Sequence, residues 1–351
     1  MKLSVFSTKP YDRRHLDLAL SRSPPSSPPL EIAYHALPLD ASTAALARGS
    51  DAVCAFVNDS LSAAVVDALA DDGVGAVLLR CAGFNNVDMP AAERRRLVVA
   101  NVPAYDPHAV AEFAVAMLQT LNRRTHRAYN RVREGNFSLD GLLGHTLRGK
   151  TVGVVGTGAI GLAAARILAG YGCRVLAYDP FPRPDALAEA GGQYTSLDHL
   201  LPACDIITLH CPLNDSTRHL INDASLARMK PGVMLVNTSR GGLVDTHAVI
   251  RALKTKHLGA LALDVYEAEA ALFYDDHSAD IIQDDTLMRL MTFPNVLVCG
   301  HQAFFTVEAL TEIAECTLRN LREFAATGSC QNSLTKDTPI KKPEPLPVRT
   351  V

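Results

Sequence analysis

The sequence predicts an α/β chain of two Rossmann-like, doubly wound and mostly parallel domains, with the active-site cleft between them. Three observations predict this. Short apolar runs alternate with helical patterns on both sides of the chain's midpoint. A G-x-G-x-x-G turn sits between an apolar strand and a helix in the second half. And 351 residues exceed what one core usually supports, at roughly 150 residues per domain.

In chain order, KLSVFS, LEIAYHAL, DAVCAFVN and GAVLLRC read as strands, and LSAAVVDALADDG as a helix stopped by glycine. SRSPPSSPPL at 21–30 denies the backbone ladder donors and helix, and reads as a surface loop. HAVAEFAVAMLQTLNRRTHRAYNRVREG spaces apolar residues at helical intervals long enough to cross between lobes. GKTVGVVGTGAIGLAAARILAGYGCRVLAYD then reads strand, glycine turn, helix, strand, and DIITLHC, VMLVNTS, GALALDVY and NVLVCG follow as further strands. A last helix, TVEALTEIAECTLRNLREFAATG, precedes a tail at 334–351 with no apolar period, expected to be disordered.

Composition narrows the function classes. Apolar residues make up 48% and charged residues 20%, enough to build a core. A net charge of −3 with no long run of like charge gives no footprint for nucleic acid or an anionic membrane. The N-terminus has charges where a secretory leader needs an apolar run, so the chain reads as cytoplasmic. Eight scattered cysteines with no C-x-x-C pair exclude a zinc ribbon and a dithiol motif, and no metal site is expected.

Gly156, Gly158 and Gly161 form the turn directly after VGVV and before LAAARIL. The first makes the turn, the second admits a pyrophosphate, and the third packs helix against strand, with the amides near Ala159 and Ile160 aimed at phosphate. Asp179 ends the next strand, eighteen residues beyond Gly161, where a carboxylate accepts from ribose hydroxyls and repels a 2′-phosphate. NAD is therefore the expected cofactor; Arg183 is the residue that could instead favour NADP.

Carbonyl chemistry with a nicotinamide needs a proton donor and a cation for a substrate carboxylate. Three strand ends supply them: Arg240 after VMLVNTS, Asp264 and Glu269 after GALAL, and His301 after NVLVCG. Arginine can grip a carboxylate bidentately. Histidine titrates near neutrality and suits acid/base work, with Glu269 as its orienting partner. His210 also ends a strand, and residue type alone does not choose between the two histidines.

The runs RCAGFNNVD, VPAYDPHAVAE, LNRRTHRAYNR, VVGTGAIG, LHCPL, MKPGVMLVNTSRGGLVD, LALDVYEAEA and GHQAFFTVEAL resemble the D-isomer-specific 2-hydroxyacid dehydrogenases, and within them the fermentative D-lactate dehydrogenases. LFYDDHSADIIQDD resembles that subgroup in particular. The resemblance implies that Arg240 binds the substrate carboxylate and carbonyl, and that His301 is the acid/base. Glu269, to be told from Glu267, would be its partner. It places His210, Cys211, Pro212, Thr217, Thr238, Ser239 and Asp264 around the cofactor. Backbone amides at Ala82 and Gly83 would hold the carboxylate, and Tyr105 and Phe304, with Phe56, would line the pocket. It further implies reversible reduction of pyruvate to D-lactate and a homodimer or higher homo-oligomer through 107–135. Another 2-oxo acid (glyoxylate, hydroxypyruvate or a bulkier one), or an NAD(H)-sensing corepressor-like binding protein of the same fold, are the alternatives.

The motif order makes the cofactor domain an insertion. The expected division is 1–103 plus 300–333 as a discontinuous, flavodoxin-like substrate domain, and 104–299 as the NAD-binding Rossmann domain.

Overall fold

A computed structural model describes residues 1–22 and 29–335. Most of the Ser/Pro segment (23–28) and the tail from 336 onward lie outside the described residues. The chain divides into two compact units, Met1–Asp106 with Thr306–Val351, and Pro107–Phe305.

The first unit begins with β1 (Lys2–Val5), α1 (Pro10–Ser21), β2 (Glu31–Tyr34), β3 (Ala52–Ala55), α2 (Ala63–Asp71), β4 (Ala76–Leu79), α3 (Met89–Arg95) and β5 (Val98–Ala100). Its five strands lie parallel in the order β2-β1-β3-β4-β5, the flavodoxin-like winding. Alternate residues feed two cores, because successive side chains leave opposite faces of a strand. Val53, Val77, Leu79 and Val99 meet Val65, Val66 and Leu69 of α2 on one face. Leu3, Val5, Cys54, Leu78 and Val98 meet Leu16 of α1 on the other.

The second unit contains α4 (Pro107–Arg123), α5 (Thr125–Arg133), β6 (Thr151–Val155), α6 (Ala159–Gly170), β7 (Arg174–Tyr178), α7 (Pro184–Glu189), β8 (Gly192–Tyr194), α8 (Leu197–Ala203), β9 (Ile206–Leu209), α9 (Asp223–Arg228), β10 (Val233–Asn237), α10 (Thr246–Lys254), β11 (Leu258–Leu263), α11 (Asp285–Met291) and β12 (Val296–Val298). Its sheet runs β12-β11-β10-β9-β6-β7-β8, all parallel. That is the dinucleotide-binding strand order with one strand added, and the order reverses between β6 and β9. The chain then returns to the first unit as α12 (Val307–Thr327), capped by Thr306 and ended by Gly328 at φ +80°. Ala314, Leu318 and Leu321 of α12 complete the α1 face of the first sheet.

Four expectations change. The continuous helix expected after 107 breaks at Arg124, which takes a left-handed φ of +52° and separates α4 from α5. There the Asn122 side chain leaves the helix to bond both the amide and the carbonyl of His145. The second unit boundary falls after Phe305 instead of at 300, so His301 belongs with the dinucleotide unit, held by Asp264. The first falls at 106/107, where α4 begins. Finally, Leu334 and Thr335, expected in the disordered tail, are bonded to Val99 of β5.

At the reversal of strand order, β9 delivers His210 beside the glycine turn. Burial lowers its pKa from 6.5 to about 4. The unfolded chain therefore binds more protons than the folded one between those values, so stability present above pH 6.5 is lost as pH falls toward 4. Taken in full, the shift corresponds to about 3 kcal/mol. Urea midpoints at pH 7, 5.5 and 4.5 should fall less steeply for His210→Asn than for the wild type. Parallel slopes would show that His210 does not carry this limb.

Candidate active site

The glycine turn follows β6, and its three glycines are there for different physical reasons. Gly156 has φ +94°, and a Cβ on it would come within 2.6 Å of His210 C and Cys211 N. A Cβ on Gly161 would lie 2.0 Å from Gly156 O. The protein's own backbone excludes side chains at both. Gly158 differs: its φ is −63° and nothing lies within 4 Å of the added atom. The space beside it is open to a ligand. It also caps α6 without a side-chain bond, leaving the first-turn amides of Ala159, Ile160 and Gly161 without intrahelical acceptors.

Asp179, one residue beyond β7, accepts from the Thr157 amide at 2.6 Å and hydroxyl at 3.0 Å, and from the Phe181 amide at 2.8 Å. Burial acts to raise its pKa, but these donors outweigh it and hold the carboxyl below its ordinary value. Arg183 donates to Thr157 O at 2.6 Å. Past β9 and β10, His210 Nδ1 and Thr238 Oγ1 are buried and find no hydrogen-bond partner among the described residues. Buried polar atoms rarely stay unpaired. With the bare helix start and the space at Gly158, they fit a dinucleotide running along these strand ends. Ser239 and Thr217 bond inward, to Cys211 O at 2.6 Å and Pro212 O at 2.7 Å, and fix the loop that carries Cys211 and Pro212.

Arg240 follows β10. Asn237 holds the turn, its Oδ1 accepting from the Ser239 amide and its Nδ2 donating to Arg240 O. Gly241 then packs on the backbone after β11, where a Cβ would sit 2.1 Å from Tyr266 C. The half-buried Arg240 side chain donates to Ser239 O at 2.8 Å and has no carboxylate partner among the described residues.

Asp264, one residue beyond β11, is fully buried. Its two oxygens accept from the Gln302 and Ala303 amides, both at 2.9 Å, and its carbonyl accepts from the His301 amide at 2.7 Å. Burial raises its pKa against the pull of those amides. His301 is held at φ +54° by these bonds and by Tyr274 Oη, which donates to its carbonyl at 3.2 Å. A non-glycine residue there costs on the order of 1–3 kcal/mol, which the surrounding bonds offset.

His301 Nδ1 lies 2.8 Å from Glu269 Oε1, both side chains being 18% exposed. Glu269 Oε2 accepts from the Tyr266 amide at 2.8 Å. Glu267, two residues away, instead pairs with His219 at 2.6 Å and caps α10 through the Thr246 amide and hydroxyl. The two acids that the sequence leaves to be told apart are thereby separated. The Tyr274 and Phe304 rings lie 5.8 and 6.4 Å from that of His301. Tyr274 was not singled out by sequence; the only signal was its place in the unusual LFYDD segment.

In the first unit, Ala82 and Gly83 follow β4, and their amides donate to no acceptor among the described residues. Tyr105 is half-buried just before α4, and Phe56 is buried with the Arg80 guanidinium 4.6 Å above its ring.

The sequence pattern of the D-isomer specific 2-hydroxyacid dehydrogenase NAD binding domain matches residues 115–303. The chain is 61% identical to D-lactate dehydrogenase kk1H of Curvularia clavata, covering 96% of each chain. It is 51% identical to the D-lactate dehydrogenase of Escherichia coli, over 95% of this chain and all of that one. The apo structure of the E. coli enzyme superposes with a TM-score of 0.86 at 49% identity over 95% of this chain and 100% of that one. D-lactate dehydrogenase with NAD+ from Lactobacillus jensenii gives 0.78 at 31% identity, over 96% and 100%. No described helix is long and apolar enough to cross a membrane. This chain belongs to the D-isomer specific 2-hydroxyacid dehydrogenase family and is an NAD-dependent oxidoreductase of two-domain Rossmann type.

Proposed function

We propose that the chain reduces pyruvate reversibly to D-lactate, with His301 as general acid and base. The observation that carries this is the hydrogen bond between His301 Nδ1 and Glu269. It leaves Nε2 as the nitrogen that gives a proton to a carbonyl oxygen or takes one from an alcohol. NADH, when bound, supplies the hydride to the carbonyl carbon. The names of the relatives from Curvularia clavata and E. coli support lactate as the product.

The amides of Ala82 and Gly83 bind the substrate carboxylate. Arg240, with no carboxylate partner among the described residues, grips the carboxylate and polarises the carbonyl. Phe304 and Tyr105, with Phe56, limit the size of the substrate's third group. Asp179 receives the adenosine ribose, the amides of α6 receive the pyrophosphate, and Thr238, His210 and Asp264 lie toward the nicotinamide.

A second copy of this chain is the partner. Helix α5 has no buried residue, and Tyr129, Phe137 and Leu143 on it and beyond it are 62%, 73% and 84% exposed. An apolar ridge of that kind is ordinarily covered. Eight cysteines, all free thiols, fit a reducing, cytoplasmic setting.

NADH oxidation followed against pyruvate, glyoxylate, hydroxypyruvate and bulkier 2-oxo acids should show the highest kcat/KM for pyruvate, with D-lactate as product. Preference for another acid, or L-lactate, would overturn the assignment. His301→Ala should lower kcat by about 10²- to 10⁴-fold with NADH still bound; wild-type turnover would remove His301 from the chemistry. Asp179→Ser should narrow the NADH over NADPH preference, and an unchanged ratio would place the ribose elsewhere. Light scattering should give a dimer for the wild type and a shift toward monomer for Phe137→Asp with Leu143→Asp; a monomeric wild type would refute the partner.

A further inference from the structure

The loop after β4 has three successive carbonyls, each with its own donor. Cys81 O accepts from the Val102 amide at 3.1 Å, Ala82 O from Asn101 Nδ2 at 2.7 Å, and Gly83 O from Cys81 Sγ at 3.2 Å. The amides on the other side of these peptides, those of Ala82 and Gly83, have no acceptor among the described residues. Ala82 C=O and Gly83 N–H belong to one planar trans peptide, so fixing the carbonyl aims the amide the opposite way. A hydrogen bond to the carbonyl also strengthens that amide as a donor.

Asn101 is itself buried, and the C-terminal part of the chain holds it. Its carbonyl accepts from Asn320 Nδ2 of α12 at 2.9 Å, and Asn320 Oδ1 accepts from Asn332 Nδ2 at 2.8 Å. Its amide donates to Asn332 O at 3.4 Å. Ser333 bridges Ala100 in antiparallel fashion, and the Leu334 amide donates to Val99 O at 2.7 Å. Residues 332–335 therefore cover the open edge of β5, an edge that would otherwise expose unpaired backbone.

We propose that Asn101 is a positioning residue for recognition of the substrate carboxylate, acting through the Ala82–Gly83 peptide, and that Asn332 and its neighbours hold Asn101 in that role. The assignment rests on the reading that the Gly83 amide binds a 2-oxo acid carboxylate. A neutral side-chain amide supplies this contact, so it orients the loop without adding a charge to it. Asn101 touches neither substrate nor cofactor; its effect falls on binding of the acid, not on proton transfer by His301.

Asn101→Asp keeps the size of the side chain while replacing the donor with an acceptor that repels Ala82 O, and Asn101→Ala removes the contact. Each should raise KM for the 2-oxo acid that the wild type reduces best by about five- to tenfold, the worth of one neutral hydrogen bond. The inhibition constant of oxamate, a non-reducible isostere of pyruvate, should rise in parallel. The kcat should stay within about twofold, and the Kd for NADH, read by fluorescence, should not move. Asn332→Ala, which leaves every atom touching Ala82 in place, should shift KM in the same direction by a smaller factor.

Folded Asn101 variants with wild-type KM and oxamate inhibition would overturn the proposal. So would a joint fall in kcat, NADH affinity and melting temperature in all three variants, which would make Asn101 a fold residue alone. Preference for an acid other than pyruvate sinks the lactate assignment while leaving this test intact on that acid. A wild type inactive on every 2-oxo acid removes both.

Discussion

The carboxyl of Asp264 is shut off from solvent, so its oxygens must find donors within the protein, and those donors are the amides of Gln302 and Ala303. Meeting that demand draws the chain leaving β12 into a tight turn over the end of β11, with His301 at its left-handed corner. The contacts that fix the His301 ring and backbone are gathered around this corner. Glu269 meets its Nδ1, the Tyr266 amide fixes the far oxygen of Glu269, and Tyr274 closes the carbonyl side. A histidine on a free loop would lose side-chain entropy to reach such a geometry; here the backbone is fixed by a buried carboxyl whose oxygens cannot lose their donors cheaply. The same bonds explain why the histidine belongs with the dinucleotide unit, although the chain leaves that unit only after Phe305.

Much of this was legible in the sequence because the signals were local. The G-x-G-x-x-G turn between strand and helix, Asp179 at the next strand end, and three reactive residues after three apolar runs all follow from patterns within a few residues. Helix α12 was equally plain, with threonine before it and glycine after. What was not legible depends on contacts distant in sequence. The break at Arg124 comes from a side chain reaching 23 residues ahead to His145. Strands β5 and β8, three residues each, are too short to show a period and exist because a neighbour pairs with them. Leu334 and Thr335 carry no periodic signal either, yet β5 binds them. The histidine partners of Glu267 and Glu269 lie 48 and 32 positions away, and Thr246, the other partner of Glu267, 21, which spacing alone does not reveal.

Asp179 and Arg183, the two residues that bear on NAD against NADP in the sequence, are both already engaged in the folded chain. Asp179 is stabilised as an anion by three donors, which outweigh its burial and hold the carboxyl below its ordinary value. Arg183 would have to release the Thr157 carbonyl to meet a 2′-phosphate, and that carbonyl belongs to the peptide joining Thr157 to Gly158 in the phosphate turn. A 2′-phosphate drawn to this arginine would thus meet the Asp179 carboxylate and loosen the glycine turn. Binding NAD asks for neither change. The arginine that looks, in the sequence, like a concession to NADP is in the folded chain a brace for the glycine turn.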